Sequence, residues 1–599
     1  MTASGRRWTA MTVLVFGLAA LVTLPTVGDY GLTYDEPAYR YSQEVSGAWW
    51  ERLAHARSAA ELADLFAADS LLFYWPYGRH GINFHPPLGG QLNLLTWTWL
   101  DGLVGDIASR RLATAVELAV CAAVLFGFLG RRYGVATGLA AAGALVAMPR
   151  VYAQAHLIET DVPGMMLWLL AAVAFWKGLH DPGARWSRVA VGVLGGLAFV
   201  TKMAAVFVLA PLLAWLVAAS LPRAFLRWRD DPKAWIDALV TTGAQLAPLA
   251  LAYAEIRRLA SRLPSPGYTN LFVNDPPSRL PGAILLVPLA VWVVRQVLRR
   301  RRPSSPVWGP DRPSLEIVQA LLAFGPVVGW LGNPAWWRHA MVRLSHYYML
   351  STARRGALPD IQNLYFGRIY EFSLPWSSSW VLIAITTPPV LLAAAIVGAV
   401  WGLRRVRADR LPLFALVLFA VMPLTRLLME APAHDGVRLL LPSYPFLAML
   451  AGWGIAWAAD RVAAVWPRRK SAVTAVITAA CLAPAAWATW SVHPYQLSYY
   501  NALIGGPRGA WSAGFELSYW YDAFTPRIIA DLNAKLPPDA VISYANDQSN
   551  PQMVPQDLQS TGALRGDLRM WDPARSRSFP SMWLLTHDSK ASSFTRLLF

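Results

Sequence analysis

What most constrains this chain is a run of predominantly apolar stretches, each about 20 residues long, recurring from one end to the other. That length crosses a hydrocarbon layer of roughly 30 Å, and in lipid such a stretch must be helical because every backbone polar group needs an internal partner. Apolar runs fall near residues 8–27, 108–129, 134–149, 162–179, 187–202, 204–221, 236–254, 281–298, 314–332, 379–402, 411–428, 437–458 and 471–490. They predict an all-α polytopic membrane protein of about thirteen helices, or about eleven if the pair at 236–298 is dropped. Composition agrees: 55% of residues are hydrophobic and 15% charged, against roughly 25% charged in a soluble domain.

A net charge of +17 would suit nucleic acid, but the arginines sit in short clusters between apolar runs, as at Arg131–Arg132, Arg299–Arg302, Arg404–Arg407 and Arg468–Lys470. Short basic loops hold a bilayer protein with those loops in the cytoplasm, so topology accounts for the charge and no nucleic-acid partner is expected. The N-terminus is then cytoplasmic and the C-terminus extracytoplasmic. Arg257, Arg258 and Arg262 fall on the opposite side from this rule, which makes 236–298 the exception in the scheme. The stretch Trp8–Val27 is too long for a signal-peptide core and lacks a small-residue cleavage pattern after it, so it reads as a retained first helix. The two cysteines, Cys121 and Cys481, both lie inside apolar runs and support neither a disulfide framework nor a thiolate metal site.

Two segments break the pattern. Residues 28–107 form a long first extracytoplasmic loop, with amphipathic stretches Ala38–Leu53 and Ala59–Phe73 expected to lie at the interface with their apolar faces toward lipid. Leu92–Leu100, short and ending at Asp101, reads as re-entrant or interfacial. Residues 491–599 carry charges and prolines and predict a small extracytoplasmic α/β domain, in which Phe524–Leu536, Pro537-Pro538 and Ala540–Tyr544 read as helix, turn and strand. The domain division is thus 1–490 for the membrane part and 491–599 for the tail.

The acids are sparse and clustered. Gly31-Leu32-Thr33-Tyr34-Asp35-Glu36-Pro37 places two carboxylates just after the first helix, and Thr160-Asp161-Val162-Pro163 places a third in a loop opening on the same side. A carboxylate there can take a proton from an acceptor hydroxyl; Asp161 before Val-Pro also suits a helix cap. His85-Pro86-Pro87-Leu88 makes a rigid extended lead, and His85 either contacts a phosphate or hydroxyl or is a plain interfacial residue. Lys202, at the end of a span, either snorkels or pairs with an anion. Aromatic stretches around Trp336-Trp337 and Tyr365–Tyr370 suit an interfacial belt, sugar stacking or a lipid tail. Asp435 and Arg438 lie at the same mouth.

In this order, the acid pair, His85-Pro86-Pro87-Leu88, Thr160-Asp161-Val162-Pro163 and Thr201-Lys202 resemble glycosyltransferase superfamily C. The resemblance is to the branch of protein O-mannosyltransferases and lipid A aminoarabinose transferases, closest to bacterial RgtA/B/C/D-like members. His493–Asn501, Gly505-Gly506-Pro507 and Phe515–Tyr519 look like the same branch, and the likeness covers about 8–230 and 314–520. It implies transfer of a sugar from a polyprenyl-phosphate donor to an acceptor on the extracytoplasmic face, by inverting single displacement. It implies Asp35, with Glu36, as catalytic acids and Asp161 as a second, acceptor-side acid. Lys202 and His85, with Arg40 and Arg438, are the donor-phosphate candidates; Tyr34, Tyr39, Trp337 and Tyr365 are candidates for sugar or lipid contact. Some members of the superfamily use a divalent metal; with so few clustered acids none is expected to be obligatory here. The pair at 236–298 reads as an insertion relative to the family, and the tail beyond about 520 matches nothing in it.

A transporter or lipid flippase is the competing class. It would place charges near the bilayer midplane in repeated halves, whereas these spans are nearly free of acids and show no repeat. An O-antigen ligase or polymerase would keep an enzyme but change the donor to a diphosphate lipid, and the Asp35-Glu36 position favours the monophosphate. The acceptor stays open among protein, lipid and glycan. Short loops suit a bacterial inner membrane.

Overall fold

The computed structural model describes residues 3–79, 83–181, 183–228, 232–263, 277–301, 312–352, 363–428, 431–433, 436–517, 524–545, 553–570 and 583–586. Among these, six helices are long and apolar enough to cross a membrane: Gly5–Thr26, Asp106–Tyr133, Asp161–His180, Pro313–Leu331, Arg438–Ala463 and Pro467–Ser491. Val135–Val146, Met203–Ala219, Gly282–Leu298 and Leu411–Leu427 are shorter apolar helices. The chain is an integral membrane protein of helical build. It divides into two compact units, Met1–Arg40 with Leu92–Val162 and Ile361–Phe599, and Tyr41–Gln91 with Pro163–Asp360.

In the first unit, helices meet through small residues. A Cβ added at Gly398 would lie 1.9 Å from the Leu450 carbonyl, and one at Gly454 would lie 1.9 Å from the Ala394 carbonyl. The helices Pro389–Arg404 and Tyr444–Ala463 therefore touch backbone to backbone, the close approach that small residues permit where lipid offers no hydrophobic drive. Gly452 similarly admits Ala141 of the helix Val135–Val146.

The span expected at 379–402 is not continuous. Ser378–Thr386 and Pro389–Arg404 meet at a 120° bend. Pro388 and Pro389 bring no N–H, so the carbonyls of Ala384 and Ile385 lose their helical donors. Asn501 supplies them: its Nδ2 donates to Ala384 O and Thr387 O, each at 2.7 Å, and its backbone N–H donates to Ile385 O at 2.8 Å. A buried break is tolerated because a side chain from elsewhere completes the backbone accounting.

The tail forms the expected α/β element. The helix Pro526–Lys535 leads to a strand, Val541–Ala545, at the centre of a three-stranded parallel sheet between Arg569–Met570 and Trp583–Thr586. Its core of Phe524, Ile529, Leu536, Ala540, Val554, Leu558, Leu564 and Leu568 also takes in Leu32 of the first loop.

In the second unit, the amphipathic stretches form the helices Glu36–His55 (from Tyr41 on), Ala59–Leu65 and Ala68–Tyr74. Trp49, Leu65 and Leu71 pack into an aromatic core with Trp75, Tyr77, Trp336 and Tyr347. The face expected against lipid is thus largely turned into protein, because this unit offers an aromatic partner surface that burial favours as strongly as lipid does. Trp50 and Phe73 remain exposed. Gly192 and Gly196 bring the helix Arg185–Phe199 onto the backbone of the helix Arg312–Leu331. Leu92–Leu100, expected to be re-entrant or interfacial, lies in the first unit within the helix Leu88–Val104.

Candidate functional site

The first unit gathers Asp35, Glu36, Asp161 and Arg438 from three distant stretches of chain. Arg438 begins a short 3-10 turn after Gly436, whose φ of +64° suits a glycine. Its Nε donates to Asp161 Oδ2 at 3.0 Å and its terminal nitrogen to Asp35 Oδ2 at 2.9 Å. One guanidinium thus bridges two carboxylates, the use for which its planar fork is suited. The three groups differ in access: the side chain of Asp35 is 30% exposed, those of Arg438 and Asp161 7% and 2%. Asp435 lies outside the described residues.

Asp161 opens the helix Asp161–His180, and Glu159 Oε1 accepts from the Val162 N–H in its first turn at 3.0 Å. Asp161 Oδ2 faces Arg438. Tyr39 is buried in the field of these groups. Burial above all, then the Asp35 carboxylate, raises its phenol well above the ordinary value while Arg438 opposes. The phenol therefore keeps its proton and is a donor at neutral pH.

Glu36 is adjacent in sequence and opposite in character. Its side chain and that of Arg111 are both fully buried and paired at 2.7 Å. Oε2 also accepts from Thr33 N–H at 2.7 Å and Thr33 Oγ1 at 3.0 Å, and Oε1 from Arg111 Nε at 2.8 Å and Ile158 N–H at 2.9 Å. Arg111 donates further to the carbonyls of Val27, Tyr30 and Gly31 at 3.3, 3.0 and 2.8 Å. Glu36 and Arg111 thereby tie residues 27–36 to the loop before Asp161. A carboxylate with its lone pairs so occupied anchors the loop rather than meeting a substrate. Arg111 carried no motif; the one sequence signal was a pair of arginines in the first turns of an apolar span.

Arg40 was expected at a donor phosphate, but its guanidinium is held by Asp106 at 2.5 Å and by Asp557. Tyr34 packs at the edge of the Leu32 cluster. Tyr365 is buried in a two-stranded ribbon, 5.5 Å from the Phe515 ring. The remaining candidates belong to the second unit. His85 accepts from Gly78 N–H at its carbonyl, 3.0 Å, with its own N–H on Asn83 Oδ1 at 3.1 Å. Lys202 is buried in extended backbone (φ −159°, ψ 140°) between the helix Arg185–Phe199 and the turn Met203–Val208. Trp337 stacks on Phe66 at 5.9 Å and donates to Leu331 O at 3.0 Å. Among the described residues, no three His, Cys, Asp or Glu side chains group as metal ligands.

Residues 97–250 match the family model described as dolichyl-phosphate-mannose-protein mannosyltransferase, a stretch that contains Arg111, Asp161 and Lys202. No curated protein sequence matches significantly. Among solved structures, ArnT from Cupriavidus metallidurans bound to undecaprenyl phosphate is 15% identical, with a TM-score of 0.43 over 95% of this chain and 86% of that one. The Archaeoglobus fulgidus oligosaccharyltransferase in its apo form is 11% identical, with a TM-score of 0.44 over 93% of this chain and 64% of that one. Its complex with an inhibitory peptide and a dolichol-phosphate gives 12% and 0.44 over 90% and 62%. The resemblance to membrane glycosyltransferases read from the ordered motifs is thus met again in the family match across 97–250.

Proposed function

We propose that this protein transfers a sugar from a polyprenyl-phosphate donor to an acceptor at the extracytoplasmic face of a bacterial inner membrane, by inverting single displacement. The acceptor oxygen forms a bond to the anomeric carbon, its proton passes to Asp35, and the carbon–oxygen bond to phosphate breaks with the electron pair leaving on phosphate. The observation that carries this reading is the difference in access: Asp35 keeps 30% of its side-chain surface while Asp161 keeps 2%. A base must reach the proton it removes. Asp161 acts through Arg438, fixing the guanidinium that orients Asp35, and Glu36 anchors the loop. With Arg438 already bridging the carboxylates, no obligatory divalent metal is part of the proposal, and turnover is expected to survive EDTA. The resemblance assigns Lys202 and His85 to the donor phosphate, which donor affinity of Lys202→Met and His85→Ala tests on its own.

The test is release of labelled sugar from a panel of polyprenyl-phosphate sugars by the purified protein in native lipid, with wild type against Asp35→Asn. Turnover of one donor that falls by about 10²–10⁴ in the variant supports the proposal and names the sugar. Turnover that survives Asp35→Asn removes Asp35 as base. A wild type that consumes no donor overturns the transferase reading.

A further inference from the structure

The tail beyond residue 520 had no assigned role, yet it touches the chain on both sides of Asp35. Three residues before it, Leu32 is inserted into the tail's own core, 2% exposed, among Phe524, Val554, Leu558 and Leu568. Five residues after it, Arg40 is 4% exposed and pairs with Asp557 of the helix Met553–Ser560 and with Asp106 at 2.5 Å. Asp106 in turn accepts from Arg110 at 3.0 Å. Two arginines thus face two aspartates, and the charges balance with Asp557 in place.

We infer that the C-terminal domain is a positioning element for the Asp35 loop, and that the Arg40–Asp557 pair is the contact through which it acts. The inference rests on the proposed role of Asp35. Arg111 already holds the carbonyls of Val27, Tyr30 and Gly31 from the membrane part, which fixes the start of the loop. The same Arg111 holds Glu36, the first residue of the helix that follows Asp35, at 2.7 Å. Arg40, one turn further on, is a second attachment of that helix, and a guanidinium with two carboxylates on different elements fixes direction as well as distance. Without Asp557, Arg40 shares Asp106 with Arg110, and the tail no longer fixes the direction of the helix one turn beyond Glu36. A reacting group displaced by about 1 Å loses on the order of 10²-fold in rate, while donor affinity, made elsewhere, is kept.

The experiment compares wild type, Asp557→Asn and Asp557→Glu as full-length protein, by hydrogen exchange over residues 29–41 and by steady-state kinetics on the donor found above. Asp557→Asn is expected to raise exchange in that segment and to lower kcat roughly ten- to a hundredfold with KM for the donor unchanged. Asp557→Glu is expected to restore both. Should Asp557→Asn fail to accumulate, Arg40→Lys, which keeps the charge but not the fork, takes its place with the same expectation. Unchanged exchange in Asp557→Asn overturns the inference whatever the kinetics show, and so does a raised exchange with wild-type kcat. If wild type moves no sugar, the transferase reading fails by itself, and exchange still decides whether the tail holds the loop.

Discussion

Replacing Glu36 by Gln changes one atom and should be among the most damaging substitutions in the chain. Oε2 accepts from Thr33 N–H, Thr33 Oγ1 and an Arg111 nitrogen at 2.7, 3.0 and 2.7 Å. An amide nitrogen there sets a donor against the Thr33 N–H and the Arg111 nitrogen; flipping it sets the donor against Arg111 Nε and the Ile158 N–H instead. The substitution also leaves the fully buried Arg111 without its countercharge. Breaking one side of a buried pair costs about 3–5 kcal/mol, against a total stability of roughly 5–15 kcal/mol for a typical domain. The double substitution Glu36→Leu with Arg111→Met removes both charges but leaves the carbonyls of Val27, Tyr30 and Gly31 without a donor and the N–H groups of Thr33 and Ile158 without an acceptor, at about 1–3 kcal/mol each, so it should be no more stable than the single variant. The assay is the midpoint of heat-induced loss of monodisperse protein in detergent for wild type, single and double variants. A Glu36→Gln protein with the wild-type midpoint would refute the anchoring argument. So would a double variant with the wild-type midpoint, since the hydrogen bonds that Glu36 and Arg111 make to the backbone would then carry no stability.

Asn501→Ala should strand the carbonyls of Ala384 and Thr387 at the helix break, costing about 1–3 kcal/mol for each buried group left unmade; a wild-type midpoint would show that the break does not depend on the side chain. Burial pushes the His156 imidazole down to about 4, against hydrogen bonds to the Tyr152 and Thr23 carbonyls that oppose the shift. The unfolded chain, near 6.5, takes up the proton first, so stability is full above about pH 6.5 and falls by up to about 3 kcal/mol toward pH 4. His156→Gln should flatten that part of the midpoint–pH curve, and an unaltered curve would assign the acid loss to other groups. Arg438→Lys cannot reach Asp35 and Asp161 as a fork, and turnover should fall about tenfold or more with donor binding retained; unchanged turnover would remove the bridge from the mechanism.

The sequence by itself determined the membrane class and the helical build, because runs of apolar length leave the backbone no other way to satisfy itself in lipid. It also placed the tail helix and strand within a residue or two, since Pro537-Pro538 must end a helix. Asp35, Asp161 and Arg438 stood out in the sequence as candidates because charge at the end of an apolar run is costly without a use. Which of them meet, and which stay accessible, was decided only by the tertiary structure. Asp35 and Glu36 are neighbours with the same functional group, yet one side chain keeps 30% of its surface and the other is fully buried. Arg40 looked like an anion binder until Asp557, more than 500 residues on, was seen to occupy it. The span at 379–402 looked continuous because hydropathy does not record a missing N–H, and Asn501, which repairs it, is more than 100 residues away. Local pattern reports burial and period. Which donor meets which acceptor depends on contacts between residues hundreds of positions apart, and no local pattern encodes those.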